Sequence, residues 1–264
     1  MLTPEAFREW CRALQLPAST CDLLARLRFS QPVRRVQGRA GNVRGLYPSK
    51  KMGMMMQFES ESVELSAMYW MDHDEKVIEF YEQPHTLKLT YLDKTGKRMQ
   101  GHYYTPDFLV LRPDGVAFEE WKTEEELHRL CRKQPYRYQR SEDGTWHCPP
   151  AEELTRLLGV SFRVCSSAML PPTYIDNLDF LADYFISPPP IPERIVSFAC
   201  SQVQASPGMS MATLLGSGEG LRPHDMYALI AQDQLFVDLN QVSLPTTGAM
   251  RSLQNSEVIG WGNA

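Results

Sequence analysis

Tyr104-Thr105-Pro106-Asp107-Phe108-Leu109-Val110-Leu111-Arg112-Pro113-Asp114-Gly115-Val116-Ala117-Phe118-Glu119-Glu120-Trp121-Lys122 is the stretch that settles the architecture of this 264-residue chain. Apolar runs over Asp107–Leu111 and Val116–Trp121 flank Arg112-Pro113-Asp114-Gly115, a turn composition, so a two-stranded hairpin is predicted. If the chain reverses about Pro113 and Asp114, Arg112 faces Gly115 and, counting back along both strands, Asp107 faces Glu120. Lys122 then falls on the same face as Glu120. Carboxylates directly across a strand pair sit about 5 Å apart and repel, so a cation should compensate. Mg2+ or Mn2+, which prefer carboxylate and carbonyl oxygens, fit that need, with the backbone carbonyl of Trp121 as a further ligand. Beside such an ion Lys122 would orient and help deprotonate a water for in-line attack on a phosphodiester. The same spacing also suits two strand-end acids neutralised by Lys122 and facing solvent, and spacing alone does not choose.

Working outward, alternation predicts further strands at Val77–Tyr81, Thr86–Tyr91 and Arg98–Tyr104, which with the hairpin read as an antiparallel meander. Upstream, residues 3–28 read as helical, opened by the Thr3-Pro4 cap and interrupted at Pro17. Ser60 or Ser62 is placed to cap a helix whose apolar stripe is Val63, Ala67, Trp70 and Met71, with Glu64 beside the stripe and Glu59 and Glu61 as nearby rivals. Downstream come a polar helix from Thr123, a hairpin about Glu142-Asp143-Gly144, a helix over Pro150–Leu158 and a strand over Val160–Ser166. The expected fold is α/β: a mixed sheet flanked by helices over residues 1–168. Past a helix at Ile175–Phe185, Ser187-Pro188-Pro189-Pro190-Ile191-Pro192 reads as a stiff spacer. Helical patterns at Met211–Leu215 and Pro223–Ala231 and a strand at Gln234–Leu239 then suggest a winged-helix-like domain within 172–264.

The formal net charge of −5 argues against a protein that coats nucleic acid by bulk electrostatics. Charge placement says more. No acid occurs from Leu23 to Phe58, whereas Arg26, Arg28, Arg34, Arg35, Arg39, Arg44, Lys50 and Lys51 all do. With Gly38, Gly41, Gly45 and Pro48 breaking helix, this window reads as a basic arm suited to DNA phosphates, or as a solvated loop that pairs with the protein's own acids. Arg129, Arg132, Lys133, Arg137 and Arg140 either extend that surface or belong to an ordinary solvated helix. Six scattered cysteines without a CxxC pair suit a reducing compartment, and no run of about eighteen apolar residues or secretory leader is visible, so a cytoplasmic protein is expected. His128, Cys131, His147 and Cys148 sketch a zinc site of poor ligand geometry. Met52, Met54, Met55 and Met56 read as packing or a partner surface.

Pro106-Asp107, a spacer, then Glu120-x-Lys122 resembles the signature of the PD-(D/E)xK nucleases. Together with Arg39-Ala40-Gly41-Asn42-Val43-Arg44-Gly45, Leu46-Tyr47-Pro48-Ser49-Lys50-Lys51-Met52, Phe58-Glu59-Ser60, Val63-Glu64-Leu65 and Glu82-Gln83-Pro84, the order is similar to that of TnsA-family endonucleases. The resemblance spans roughly Arg34–Ser167. It implies a restriction-endonuclease-like fold and a Mg2+- or Mn2+-dependent DNA endonuclease, with Glu64 as the helix-borne acid, Asp107 and Glu120 as strand acids and Lys122 as the catalytic lysine. It further implies cutting at transposon 5′ ends in double-stranded DNA, beside a TnsB-like transposase that handles the 3′ ends and a TnsC-like ATPase engaged through the C-terminal domain. Two other readings stay open: a nuclease-inactive adaptor joining DNA to partner proteins, and a stand-alone restriction or repair nuclease.

Overall fold

Alternating and continuous apolar runs from Glu79 onward assemble the central sheet of the computed structural model. The structure describes residues 1–33, 45–58, 61–92, 95, 97–218, 220–244 and 258–260, with only the backbone at 61, 62, 91, 92, 99–102 and 258–260. The chain forms two compact units, Met1–Leu170 and Pro171–Ala264.

The first unit is built on β3 (Glu79–Glu82), β6 (Phe108–Arg112), β7 (Gly115–Lys122) and β10 (Ser161–Ser166), in the order β10-β7-β6-β3. The β6–β7 hairpin carries the expected register, with Arg112 opposite Gly115 and Phe108 opposite Glu119. β3 runs antiparallel to β6, while β10 runs parallel to β7 after a crossover, so the sheet is mixed. That crossover holds α4 (Glu124–Lys133), the short β8 (Gln139–Arg140) and β9 (Trp146–His147) pair, and α5 (Pro149–Arg156). Thr123 caps α4 by accepting the Glu126 N–H. Because both faces of the sheet are covered, β6 and the middle of β7 are buried at nearly every position.

The meander reading needs correction. β4 (Leu87–Leu92) and β5 (Arg98–Tyr104) pair only with each other. The chain leaves the sheet at Gln83, whose φ of 42° is left-handed, and at Pro84, which has no N–H to donate. Leu87 and Leu89 are instead buried, with β4 against α5.

Ahead of the sheet lie α1 (Pro4–Ala13) and α2 (Ala18–Leu27), the former capped by Thr3 accepting the Ala6 N–H. The Trp10 indole donates to the Arg112 carbonyl, fastening α1 to the turn of the central hairpin. Arg28, which the acid-free window placed with the basic arm, is instead buried in a two-pronged pair with Glu79 of β3 at 2.7 Å. Next come the antiparallel strands β1 (Gly45–Ser49) and β2 (Met54–Phe58), with Met52 and Met56 buried and Met54 and Met55 exposed. Asp72 ties this hairpin to α3 (Ser66–His73), accepting from the Tyr47 and Ser49 hydroxyls and the Lys50 and Lys51 N–H groups. The expected cap was misplaced at Ser62, which lies inside a π-helical turn, Glu61–Leu65, leading into α3; Ser60 lies outside the described residues.

The second unit holds α6 (Pro172–Ile186), α7 (Glu193–Ala205), α8 (Met211–Gly216) and α9 (Pro223–Ala231), followed by a short antiparallel pair, β11 (Phe236–Val237) and β12 (Val258–Gly260). α7 was not anticipated, although its buried Ile195, Ala199 and Val203 recur at four-residue steps. The expected strand over Gln234–Leu239 shrinks to two residues. Buried Asn177 of α6 donates to the Leu239 and Val242 carbonyls and accepts the Leu244 N–H, pinning the chain after β11. Among the described residues, no helix is long and apolar enough to cross a membrane.

Candidate active site

The ladder that pairs Phe108 with Glu119 delivers Asp107 and Glu120 to the same end of the β6–β7 hairpin. Asp107 sits one residue before β6, its carbonyl accepting the Gln83 N–H at 2.7 Å and its carboxylate accepting the Trp121 N–H at 2.7 Å. Glu120 is 1% exposed. Its Oε1 accepts from the Tyr138 hydroxyl at 2.8 Å and from the Lys122 ammonium at 2.9 Å, while its buried Oε2 has no hydrogen-bond partner. The neighbouring Glu119 and Trp121 point to the other face, where the Trp121 indole donates to Glu119 and Arg112 pairs with it at 2.7 Å.

Glu64 reaches the same place from the π-helical turn, which packs against β7. Burial, against the pull of Lys122 and together with the charges of Glu64 and Glu120, pushes the Asp107 carboxyl up to about 8. Burial would discharge Lys122, but Glu120 and Asp107 outweigh it and raise its pKa above the usual lysine value. Asp107 therefore feels each of the other three predicted side chains. Of the rivals, Glu59 lies outside the described residues, as does the side chain of Glu61.

Residues 74–167 match the family model described as TnsA-like endonuclease N terminal. This segment is similar to TnsA-like endonuclease domains. No curated protein matches the chain. The match takes in Asp107, Glu120, Trp121 and Lys122 and begins after Glu64.

Around Glu120, three residues escaped the sequence reading of the site. Tyr138 is 2% exposed and follows α4. Arg137, grouped earlier with surface bases, is 8% exposed, its guanidinium 4.7 Å from the Tyr104 ring centre and 5.1 Å from that of Tyr138. Tyr104 ends β5; burial, then the charges of Glu120 and Asp107, push its phenol well up. A buried tyrosine or arginine carries no mark in a sequence that separates it from an exposed one; only packing reveals it.

The oxygen-only donor set of Glu64, Asp107 and Glu120 suits a hard divalent cation, and the unpartnered buried Glu120 Oε2 is an acceptor in need of one. Among the described residues no three His, Cys, Asp or Glu side chains are gathered closely enough to form a ligand set, and Lys122 pairs with Glu120 at 2.9 Å. Trp121 stands between these two residues in β7, which keeps its carbonyl at the same strand end.

Of the predicted phosphate contacts, Arg34, Arg35, Arg39 and Arg44 lie outside the described residues. Lys50 is exposed, whereas the Lys51 ammonium donates to the Met71 and Asp74 carbonyls at the end of α3. The zinc sketch dissolves: His128 pairs with Glu124, His147 with Glu152, and Cys148 is buried with its thiol pushed up to about 12 by burial. A concavity of about 840 Å3 along β10, lined by Arg140, Trp146 and Arg163 among others, is separate from the carboxylate cluster.

Proposed function

We propose that the chain is a divalent-metal-dependent DNA endonuclease subunit that cuts the 5′ ends of a transposon. The observation carrying this reading is the cluster of half-buried Asp107 and Lys122 with buried Glu120 inside a TnsA-like segment, with Glu64 acting on Asp107. Glu64, Asp107, Glu120 and the Trp121 carbonyl would hold Mg2+ or Mn2+. When bound, such an ion supplies positive charge against the phosphate and makes water a better nucleophile at neutral pH.

The chain's own residues divide the remaining tasks. Glu120, buried and anchored by two donors, fixes a rigid acceptor. Lys122, kept charged by the two carboxylates, donates hydrogen bonds that orient the attacking water and the scissile phosphate. That revises the expectation that it helps to deprotonate the water. Water exclusion comes from the apolar and aromatic wall of Tyr104 and Tyr138. Lys50 and the arginines from Arg34 to Arg44 would track DNA phosphates, and a winged-helix-like second unit would meet a TnsB-like transposase and a TnsC-like ATPase.

The test is a reconstituted excision reaction with the partner transposase, mapping cuts on each strand. Asp107→Ala and Lys122→Ala should each abolish 5′-end cutting while 3′-end cutting and circular dichroism persist. Undiminished 5′ cutting by either variant refutes the reading.

A further inference from the structure

Resting on the proposed metal site, the geometry points to Tyr138 as the positioning residue that sets which oxygen of Glu120 faces the cation. The Glu120 carboxylate is 1% exposed, and its two oxygens are treated differently by the fold. Oε1 receives the Tyr138 hydroxyl at 2.8 Å and the Lys122 ammonium at 2.9 Å; Oε2 has no hydrogen bond of ordinary geometry, with the buried Tyr104 hydroxyl the further group that acts on Glu120. A lysine on four rotatable bonds can follow either oxygen, so its contact does not define an orientation. Tyr138 can: its ring is fully packed, its N–H is bound to the Gln134 carbonyl, and the Arg137 guanidinium lies over it. A phenol has only two side-chain torsions, and both are set here by packing.

The choice of tyrosine itself carries information. A phenylalanine would fill the same buried space without an internal hydroxyl to satisfy, and a buried hydroxyl is tolerated where it has a partner. The partner here is a buried acid whose second oxygen has no hydrogen-bond partner. Residues that hold metal ligands from behind commonly govern affinity by about 10–100-fold. Tyr138 comes from the loop after α4, so Glu120 is held both by its own strand and by the crossover. Its hydroxyl is bonded to Glu120, and it acts through that residue.

The experiment is titration calorimetry of the full chain with MnCl2, without DNA, on the wild type and on Tyr138→Phe, Tyr81→Phe, Asp107→Ala, Glu120→Gln and the Tyr138→Phe/Glu120→Gln pair. Tyr81 is a burial-matched control, since its hydroxyl also donates to a buried carboxylate, Glu79, away from the site. Tyr138→Phe is expected to weaken Mn2+ binding about tenfold or more, Tyr81→Phe to leave it unchanged, and the double variant to bind no more weakly than Glu120→Gln. Circular dichroism melts without metal identify any loss of folding, and titration well below the transition keeps the comparison valid. Wild-type affinity in Tyr138→Phe overturns the positioning role while a loss in Asp107→Ala leaves the metal site standing. Equal weakening in Tyr81→Phe also overturns it, since the effect would then be one of general packing. Unchanged binding in Asp107→Ala and Glu120→Gln alike overturns the metal site itself.

Discussion

Arg28→Met tests whether the first basic residues of the acid-free window serve the core or the DNA. The Arg28 and Glu79 side chains are 2% and 0% exposed, and the guanidinium meets the carboxylate through two bonds of 2.7 Å, with a third to the Leu2 carbonyl. Glu79 also accepts from the Tyr81 hydroxyl and the Leu2 N–H, so removing Arg28 strands a charge inside a network. Breaking one side of a buried pair costs about 3–5 kcal/mol. For a unit of this size each kcal/mol moves the melting temperature by about 2–4 °C, giving a loss of about 6–20 °C for the first unit's transition. Arg28→Met/Glu79→Gln should recover part of that loss, because no unpaired charge remains. Acid titration supplies an independent reading. Burial pushes the Glu79 carboxyl up, but Arg28 and Tyr81 more than reverse this and hold it below the usual carboxylate range. Its contribution is therefore fully present above its unfolded pKa of about 4.3 and lost as pH falls through the lower folded value. Calorimetric melts in low and high salt decide the matter. A loss under about 1 kcal/mol, or unchanged melting with a salt-dependent loss of DNA affinity, refutes the core assignment.

The remaining expectations concern the site, a helix cap and the second unit. Because the Asp107 carboxyl is pushed up to about 8, the metal-free fold should lose stability as pH rises from about 4 to 8, and Mg2+ should restore most at the alkaline end; melts whose pH dependence is the same with and without Mg2+ would contradict this. Thr123→Ala removes the cap that receives the Glu126 N–H and should cost about 1 kcal/mol by urea unfolding, with no loss marking the cap as idle. Asn177→Ala leaves the Leu239 and Val242 carbonyls and the Leu244 N–H without their buried partner. It should lower the second unit's stability by about 2–4 kcal/mol, and hydrogen exchange at Leu244 no faster than in wild type would refute the anchor.

Much of the local structure was written in residue order. The Pro113-Asp114 reversal settled the β6–β7 register, and with it the meeting of Asp107 and Glu120, because a two-residue turn leaves a hairpin no other alignment. Thr3-Pro4 and Thr123 announced helix starts through short-range hydrogen bonds. What the sequence did not determine depends on contacts between distant segments. Whether β4 and β5 join the sheet turned on the Gln83-Pro84 break, whether Arg28 faces solvent turned on Glu79 fifty-one positions away, and the Tyr138 clamp on Glu120 arises only after the crossover folds back. Local propensity and periodicity act over a few residues, so they place side chains on faces; burial and pairing across the fold assign each charged or hydroxyl group its partner.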